Sequence, residues 1–309
     1  MNTNMMLPAY LCALLIGLWS MTVVSAGNEE ANFVFCYGTD PFKEKFELKD
    51  ALQILNHPEF DVNRNTVLYI HGYIESSKSP TVQKIIDAYM ERATYNVLIL
   101  DWATLADGLY PTAVRKSSDL GPTIADIFLD LFDNGLPHAK LHIVGHSLGA
   151  HLAGQIGRTI TEKSDGLIKL ERITGLDPAF PQYYPSIGGA KAISDEDAVL
   201  VDIIHTDKGR YGTLFSTGTV DFWPNEGGRI QPGCPNGIHI PLSDRDLCSH
   251  QRSVALWAES VANPSSTFVA TNRKYKSTQL QMGISCAKGS RRGDYDLNTN
   301  ADYPYSRSA

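Results

Sequence analysis

Residues 141–154 read LHIVGHSLGAHLAG. Leu141, His142, Ile143 and Val144 are apolar and β-branched enough to form a buried strand. From Ser147 to Arg158 helix formers follow, with Leu148, Leu152 and Ile156 at i, i+4 and i+8. Ser147 therefore sits on a strand-to-helix corner, between Gly145 and Gly149. A corner that tight forces unusual backbone angles and a close approach of neighbouring chain, which glycine permits on both sides. It also exposes the hydroxyl and turns the first N–H groups of the new helix toward whatever binds there. A plain Gly-Ser turn uses the same letters, so the rest of the chain has to supply the chemistry.

At 309 residues with 43% hydrophobic content the chain can bury a large core, and we expect one main α/β domain. The 34 Asp and Glu outnumber the 27 Lys and Arg for a net charge of −7, which argues against nucleic acid or other polyanions as partners held by charge. The opening MNTNMMLPAYLCALLIGLWSMTVVSAGNEE is apolar from Leu7 to Val24 and small at Ser25 and Ala26. That is the pattern of a secretory signal, residues 1–26, although its start lacks the usual Lys or Arg. A signal-anchor helix is the rival, since the stretch is long enough to span a bilayer. Secretion as residues 27–309 would leave Cys36, Cys234, Cys248 and Cys286. An even set in an oxidising compartment favours two disulfides over metal ligation or free thiols.

A serine hydroxyl is a weak nucleophile until a base takes its proton, and the base needs a carboxylate to hold its tautomer and its charge. Downstream, ERITGLDPAFP contains a short apolar strand, Ile173 to Leu176, stopped by Asp177-Pro178, so Asp177 stands at a strand's carboxyl end, where groups gather in open α/β sheets. Nine histidines compete as base. His142 alternates inside a strand, and His146 and His151 flank the corner as structural residues. His57, His138 and His239 sit in polar, loop-like surroundings, so in the order Ser, Asp, His two remain: His205, ending VLVDIIH, and His250 in DLCSHQRSVALWAES, just before an expected amphipathic helix. An oxyanion pocket takes one donor from the N–H of Leu148 and a second from a loop after another strand. NTVLYIHGYIESS offers that loop: Val67 to Ile70 form the strand, and Gly72 turns the chain so that the Tyr73 N–H faces the same place.

Nine segments in order, YIHGY, LILDW, IVGHSLGAH, ITGLDPAFP, VDIIHTD, GTVDFWPNEGG, QPGC, LCSHQRS and MGISCAKGSRRGDYDLNTN, resemble the pancreatic lipase family of α/β-hydrolases, in its secreted insect neutral-lipase and phospholipase A1 branch. The resemblance runs from about Asn32 to Tyr305. It implies the α/β-hydrolase fold, a mostly parallel central sheet with helices on both faces. It implies Ser147 as nucleophile, Asp177 as acid, His250 rather than His205 as base, and Tyr73 and Leu148 as oxyanion donors. It further implies disulfides Cys234–Cys248 and Cys36–Cys286, and a lid loop at 235–247.

The match also has departures. We expect no C-terminal β-sandwich domain and no colipase partner. The lid stretch PNGIHIPLSDRDL is short and the preceding loop KGRYGTLFSTG is abbreviated; members with both shortened tend toward phospholipids and those with both long toward triacylglycerols. In AKAISDEDA, Asp197 matches one acidic calcium ligand of the family, but Ser194 and Ala192 stand where others would be, so neither a metal nor a cofactor is expected. The RGD at Arg292 to Asp294 lies in the resembled closing strand and reads as structure rather than as an adhesion signal. The expected function is a secreted serine carboxylic-ester hydrolase acting on lipid esters at a membrane, droplet or micelle surface, of open oligomeric state. The alternative is a non-catalytic lipid-binding or yolk-type storage protein.

Overall fold

A computed structural model describes residues 31–38, 42–263, 265 and 267–307. The expected signal segment, 1–26, lies outside the described residues. Among those described, no helix is long and apolar enough to cross a membrane.

Among the described residues eleven strands form one sheet: β1 (Asn32–Tyr37), β2 (Phe42–Glu47), β3 (Asn65–Ile70), β4 (Tyr95–Asp101), β5 (Leu141–His146), β6 (Arg172–Leu176), β7 (Leu200–Ile204), β8 (Val220–Pro224), β9 (Val269–Asn272), β10 (Gln279–Gln281) and β11 (Gly293–Leu297). Their order is β10-β9-β11-β8-β7-β6-β5-β3-β4-β1-β2. From β4 to β11 every neighbouring pair is parallel, and the antiparallel pairs are confined to the two edges. This is the mostly parallel α/β-hydrolase architecture.

The helices are α1 (Pro80–Arg92), α2 (Ala103–Ala106), α3 (Tyr110–Asp133), α4 (Leu148–Lys163) and α5 (Asp244–Ala262). Parallel strands covered on both faces are apolar at consecutive positions, because alternate side chains serve two cores. In β3, Leu68 and Ile70 join the core under α3 and α4, while Val67 and Tyr69 join the one under α1 and α5. In β4, Leu98 and Leu100 divide from Val97 and Ile99 in the same way.

This division positions the site. From β3 the chain passes through α1 to β4 on one side; from β4 it returns through α3 to β5 on the other side of β3. The order thus reverses between β3 and β5, and their exits lead to helices on opposite faces. A crevice opens beyond the carboxyl ends of two strands that diverge in this manner, and ligand sites of open α/β sheets lie there.

Two expectations need correction. The helix at His250 starts earlier than its apolar pattern suggests, at Asp244, so it contains Cys248 and His250 and takes the last residues of the expected lid loop into its first turn. Ser243 caps it by accepting from the Asp246 N–H, and Asp244 and Asp246 put negative charge at its positive end. The second correction concerns the cysteines. Cys234 and Cys248 are joined, with Cα atoms 5.7 Å apart, but Cys36 and Cys286 are free and buried. The Gly283 and Ile284 carbonyls beside Cys286 accept from Arg172 on β6. Cys36 lies on β1, four places along the sheet from β6, which is roughly 19 Å at about 4.8 Å per strand. A disulfide needs Cα atoms within about 7 Å. Burial pushes both thiols up to about 12.

Candidate active site

Ser147 occupies the junction of β5 and α4 with φ 53° and ψ −118°, a backbone state that side-chain-bearing residues rarely take. Strain of this kind persists only where its surroundings over-determine it. Here the Ser147 N–H donates to the Leu176 carbonyl at 2.9 Å, and its own carbonyl accepts from Ala150 at 3.1 Å and Ala179 at 3.3 Å. The flanking glycines are needed for contact: a Cβ at Gly145 would overlap the Gly149 carbonyl, and one at Gly149 would overlap the carbonyls of Ile70 and His71. The corner is thus pressed against the exit of β3.

From that exit comes the second loop. Gly72 lies so close that an added Cβ would stand 3.0 Å from the Ser147 Cβ. Tyr73 follows it, its hydroxyl donating to the Gly108 carbonyl and its ring meeting Tyr110 edge-on at 5.1 Å. Next in the loop, the Ile74 N–H donates to Ala106 at 2.9 Å, so the α2–α3 connection anchors the loop from outside. Leu148 opens α4, where first-turn N–H groups have no partner within the helix.

Asp177 follows β6 directly and is wholly buried. One carboxylate oxygen accepts from the Thr206 and Asp207 N–H groups at 2.7 and 3.2 Å; the other meets His250 Nδ1 at 2.6 Å. Burial holds His250 below its usual range, against the pull of Asp177. Ser147, His250 and Tyr73 line one cavity of about 640 Å³, with apolar walls that include Pro181, Pro241, Leu242 and Leu247. His205, its rival in the sequence, lies elsewhere: its Nε2 bonds Asp221 at 2.8 Å and its ring stacks on Trp223 at 3.8 Å.

At this site Glu75 goes unmarked in the sequence, and His146 reads there as a structural residue beside the corner. Glu75 Oε2 accepts from the Gly72 N–H at 2.7 Å and pairs with His146 Nδ1 at 3.0 Å, while Oε1 accepts from Thr81. Burial acts to raise the Glu75 carboxyl, but the adjoining His146 draws it down to about 2. Burial likewise opposes the charge on His146, and Glu75 outweighs it to raise that imidazole. The His146 ring lies 4.8 Å from that of His250. An acidic residue in the polar run ESS reads as a solvated loop group, and nothing local to it signals a partner 71 positions away.

The loop tethered by Cys234–Cys248 borders the cavity without filling it. Ile238 and Ile240 are exposed to solvent. Leu242 is tied down, its N–H donating to Tyr211 at 3.2 Å and Asp246 at 3.1 Å. Away from the cavity, Asp197 accepts from the Ser194 N–H at 2.9 Å and pairs with Arg158 at 3.2 Å. Among the described residues no group of three or more His, Cys, Asp or Glu is arranged to hold a metal ion. Asp294 of the RGD segment accepts from Trp223 and Ser216 within the fold.

The chain is 32% identical to rat phospholipase A1 member A over 245 residues, 79% of this chain and 51% of that protein. It is 34% identical to bovine phospholipase A1 member A over 231 residues, 74% and 49% of the two chains. With rabbit pancreatic triacylglycerol lipase it shares 30% over 260 residues, 79% and 54%. It spans about half the length of these curated relatives. A sequence profile of the Lipase family matches residues 24–300. Since that match reaches from β1 through β11 and takes in the corner, Asp177 and both cavity loops, the chain belongs to the Lipase family.

Proposed function

We propose that this protein is a secreted serine hydrolase of lipid carboxylic esters. The observation that carries the reading is the 2.6 Å bond from a buried Asp177 to His250 Nδ1, in a histidine that lines one cavity with Ser147. A ring held through Nδ1 has Nε2 left to exchange a proton with the serine. Ser147 Oγ then attacks the ester carbonyl carbon as its proton passes to His250. The oxyanion accepts hydrogen bonds from the Leu148 and Tyr73 N–H groups. Collapse breaks the ester C–O bond, the alcohol leaves with the proton from His250, and water repeats the sequence to release the acid.

The lipid character of the substrate is supported by the apolar cavity walls, by Ile238 and Ile240 exposed beside them, and by relatives named phospholipase A1 and triacylglycerol lipase. Secretion is supported by the apolar run Leu7 to Val24 and by the Cys234–Cys248 disulfide. The test is a panel of triacylglycerol, phosphatidylcholine and a short soluble ester, with fluorophosphonate labelling mapped by peptide mass. Hydrolysis with labelling at Ser147, both lost in Ser147→Ala, is expected. Lipid binding by the wild type without turnover would return the protein to the storage reading.

A further inference from the structure

We infer that Glu75 is a positioning residue of the oxyanion pocket, a strut that clamps the loop after β3 to the corner after β5. The inference rests on the serine-hydrolase reading. One oxygen of Glu75 receives two groups from different strand exits: the Gly72 N–H, which precedes the Tyr73 donor, and His146, which precedes Ser147. Its other oxygen is held by Thr81 in the first turn of α1. The carboxylate therefore joins the β3 loop, the β5 corner and the first turn of α1.

The strut acts where the strands diverge. Strand pairing of β3 with β5 ends at Ile70 and Gly145, so beyond these residues no ladder bond sets the spacing of the two loops. An oxyanion pocket with one donor on each loop works only if that spacing is kept, because its donors must meet the developing charge at hydrogen-bond distance. Tyr73 and Ile74 are tied outward, to Gly108 and Ala106. Glu75 supplies the inward tie, at Gly72, where an added Cβ would press on the Ser147 Cβ. Glu75 need touch no substrate to do this; it acts through the placement of the Tyr73 N–H.

Three variants test it. Glu75→Ala removes the strut. Glu75→Asp keeps the charge but withdraws the oxygen by one methylene. Glu75→Gln keeps an acceptor for Gly72 and His146 and turns its NH2 toward the Thr81 hydroxyl. With a soluble ester, Ala and Asp should lose on the order of 10² to 10³ in kcat, the cost of one oxyanion donor, with KM within about threefold. A boronic acid, whose tetrahedral adduct needs the same pocket, should weaken by the same factor. Gln should restore kcat to within about tenfold of wild type. If Ala fails to fold, Asp and Gln carry the comparison. A folded Ala or Asp variant with near-normal kcat, or a loss seen in KM alone, overturns the strut. Wild type and Ser147→Ala are assayed alongside: hydrolysis that depends on Ser147 leaves the serine-hydrolase reading standing whatever Glu75 does. A wild type without it removes both.

Discussion

Asp177 and His250 are separated by 73 positions in the chain and by 2.6 Å in space. They meet because Asp177 directly follows β6 while α5, which the chain reaches after β8, carries His250 in its second turn. Both are buried, so the bond between them is unscreened by water, and each constrains the other's orientation.

The histidines should separate cleanly. His250→Ala should abolish fluorophosphonate labelling of Ser147, since the variant has no base to activate the nucleophile. His205→Ala should leave labelling close to wild type and instead lower stability by about 1–3 kcal/mol, the worth of one hydrogen bond to the buried Asp221 carboxylate, which keeps the Thr217 and Gly218 N–H donors. Labelling rates and thermal melts of both variants provide the check, and the reverse order would exchange their roles.

Activity should fall in acid with an inflection below the ordinary histidine value of 6.5. Burial disfavours the imidazolium, so His250 stays neutral and able to accept a proton to lower pH than a free histidine. The same depression makes the folded state bind fewer protons than the unfolded one in that window, and stability rises with pH through it. A profile of log kcat/KM against pH measures the inflection; a value above 6.5 contradicts the assignment.

The Glu75–His146 pair predicts a stability window. The depressed Glu75 contributes stability fully above 4.5, lost as pH falls toward about 2. The raised His146 contributes fully below 6.5, and that part is lost as pH rises through its folded value. Glu75→Gln should therefore cost more melting temperature between 4.5 and 6.5 than in alkali. Equal losses at about pH 5.5 and about pH 8.5 would show that His146 is not charged in the fold.

Opening the Cys234–Cys248 bridge as a double serine variant should cost about 3 kcal/mol, the chain-entropy value for a loop of separation 14. Cys36 and Cys286 should resist alkylation in the native protein and react once it is unfolded without reductant. Peptide mapping that finds them linked would reinstate the second disulfide.

The tethered loop leaves Ile238 and Ile240 in solvent and the cavity partly open, so turnover of one ester followed through its solubility limit should rise smoothly. A sharp increase confined to concentrations above the limit would mean that the 235–247 loop closes over the site in water.

What the sequence determined by itself is local. The G-x-S-x-G corner, the strand ends at Asp177 and at His71-Gly72, and the buried strand of residues 141–144 are legible because backbone conformation there depends on contiguous residues and on glycine's missing Cβ. The early start of α5 escapes that reading, although the Ser243 cap and the acidic residues after it mark it. What the tertiary structure decided is convergence. His205 and His250 both follow Ser147 and Asp177 in chain order, and only the packing of β7 against Trp223 and of α5 across the sheet sends one to Asp221 and the other to Asp177. Cys36 and Cys286 each read as a disulfide partner until the strand order sets them apart. Glu75 carried no signal, because its meaning lies in two groups that reach it from different strand exits. Distances across a sheet follow from strand order and register, which are set by the whole core at once, and no single stretch of residues encodes them.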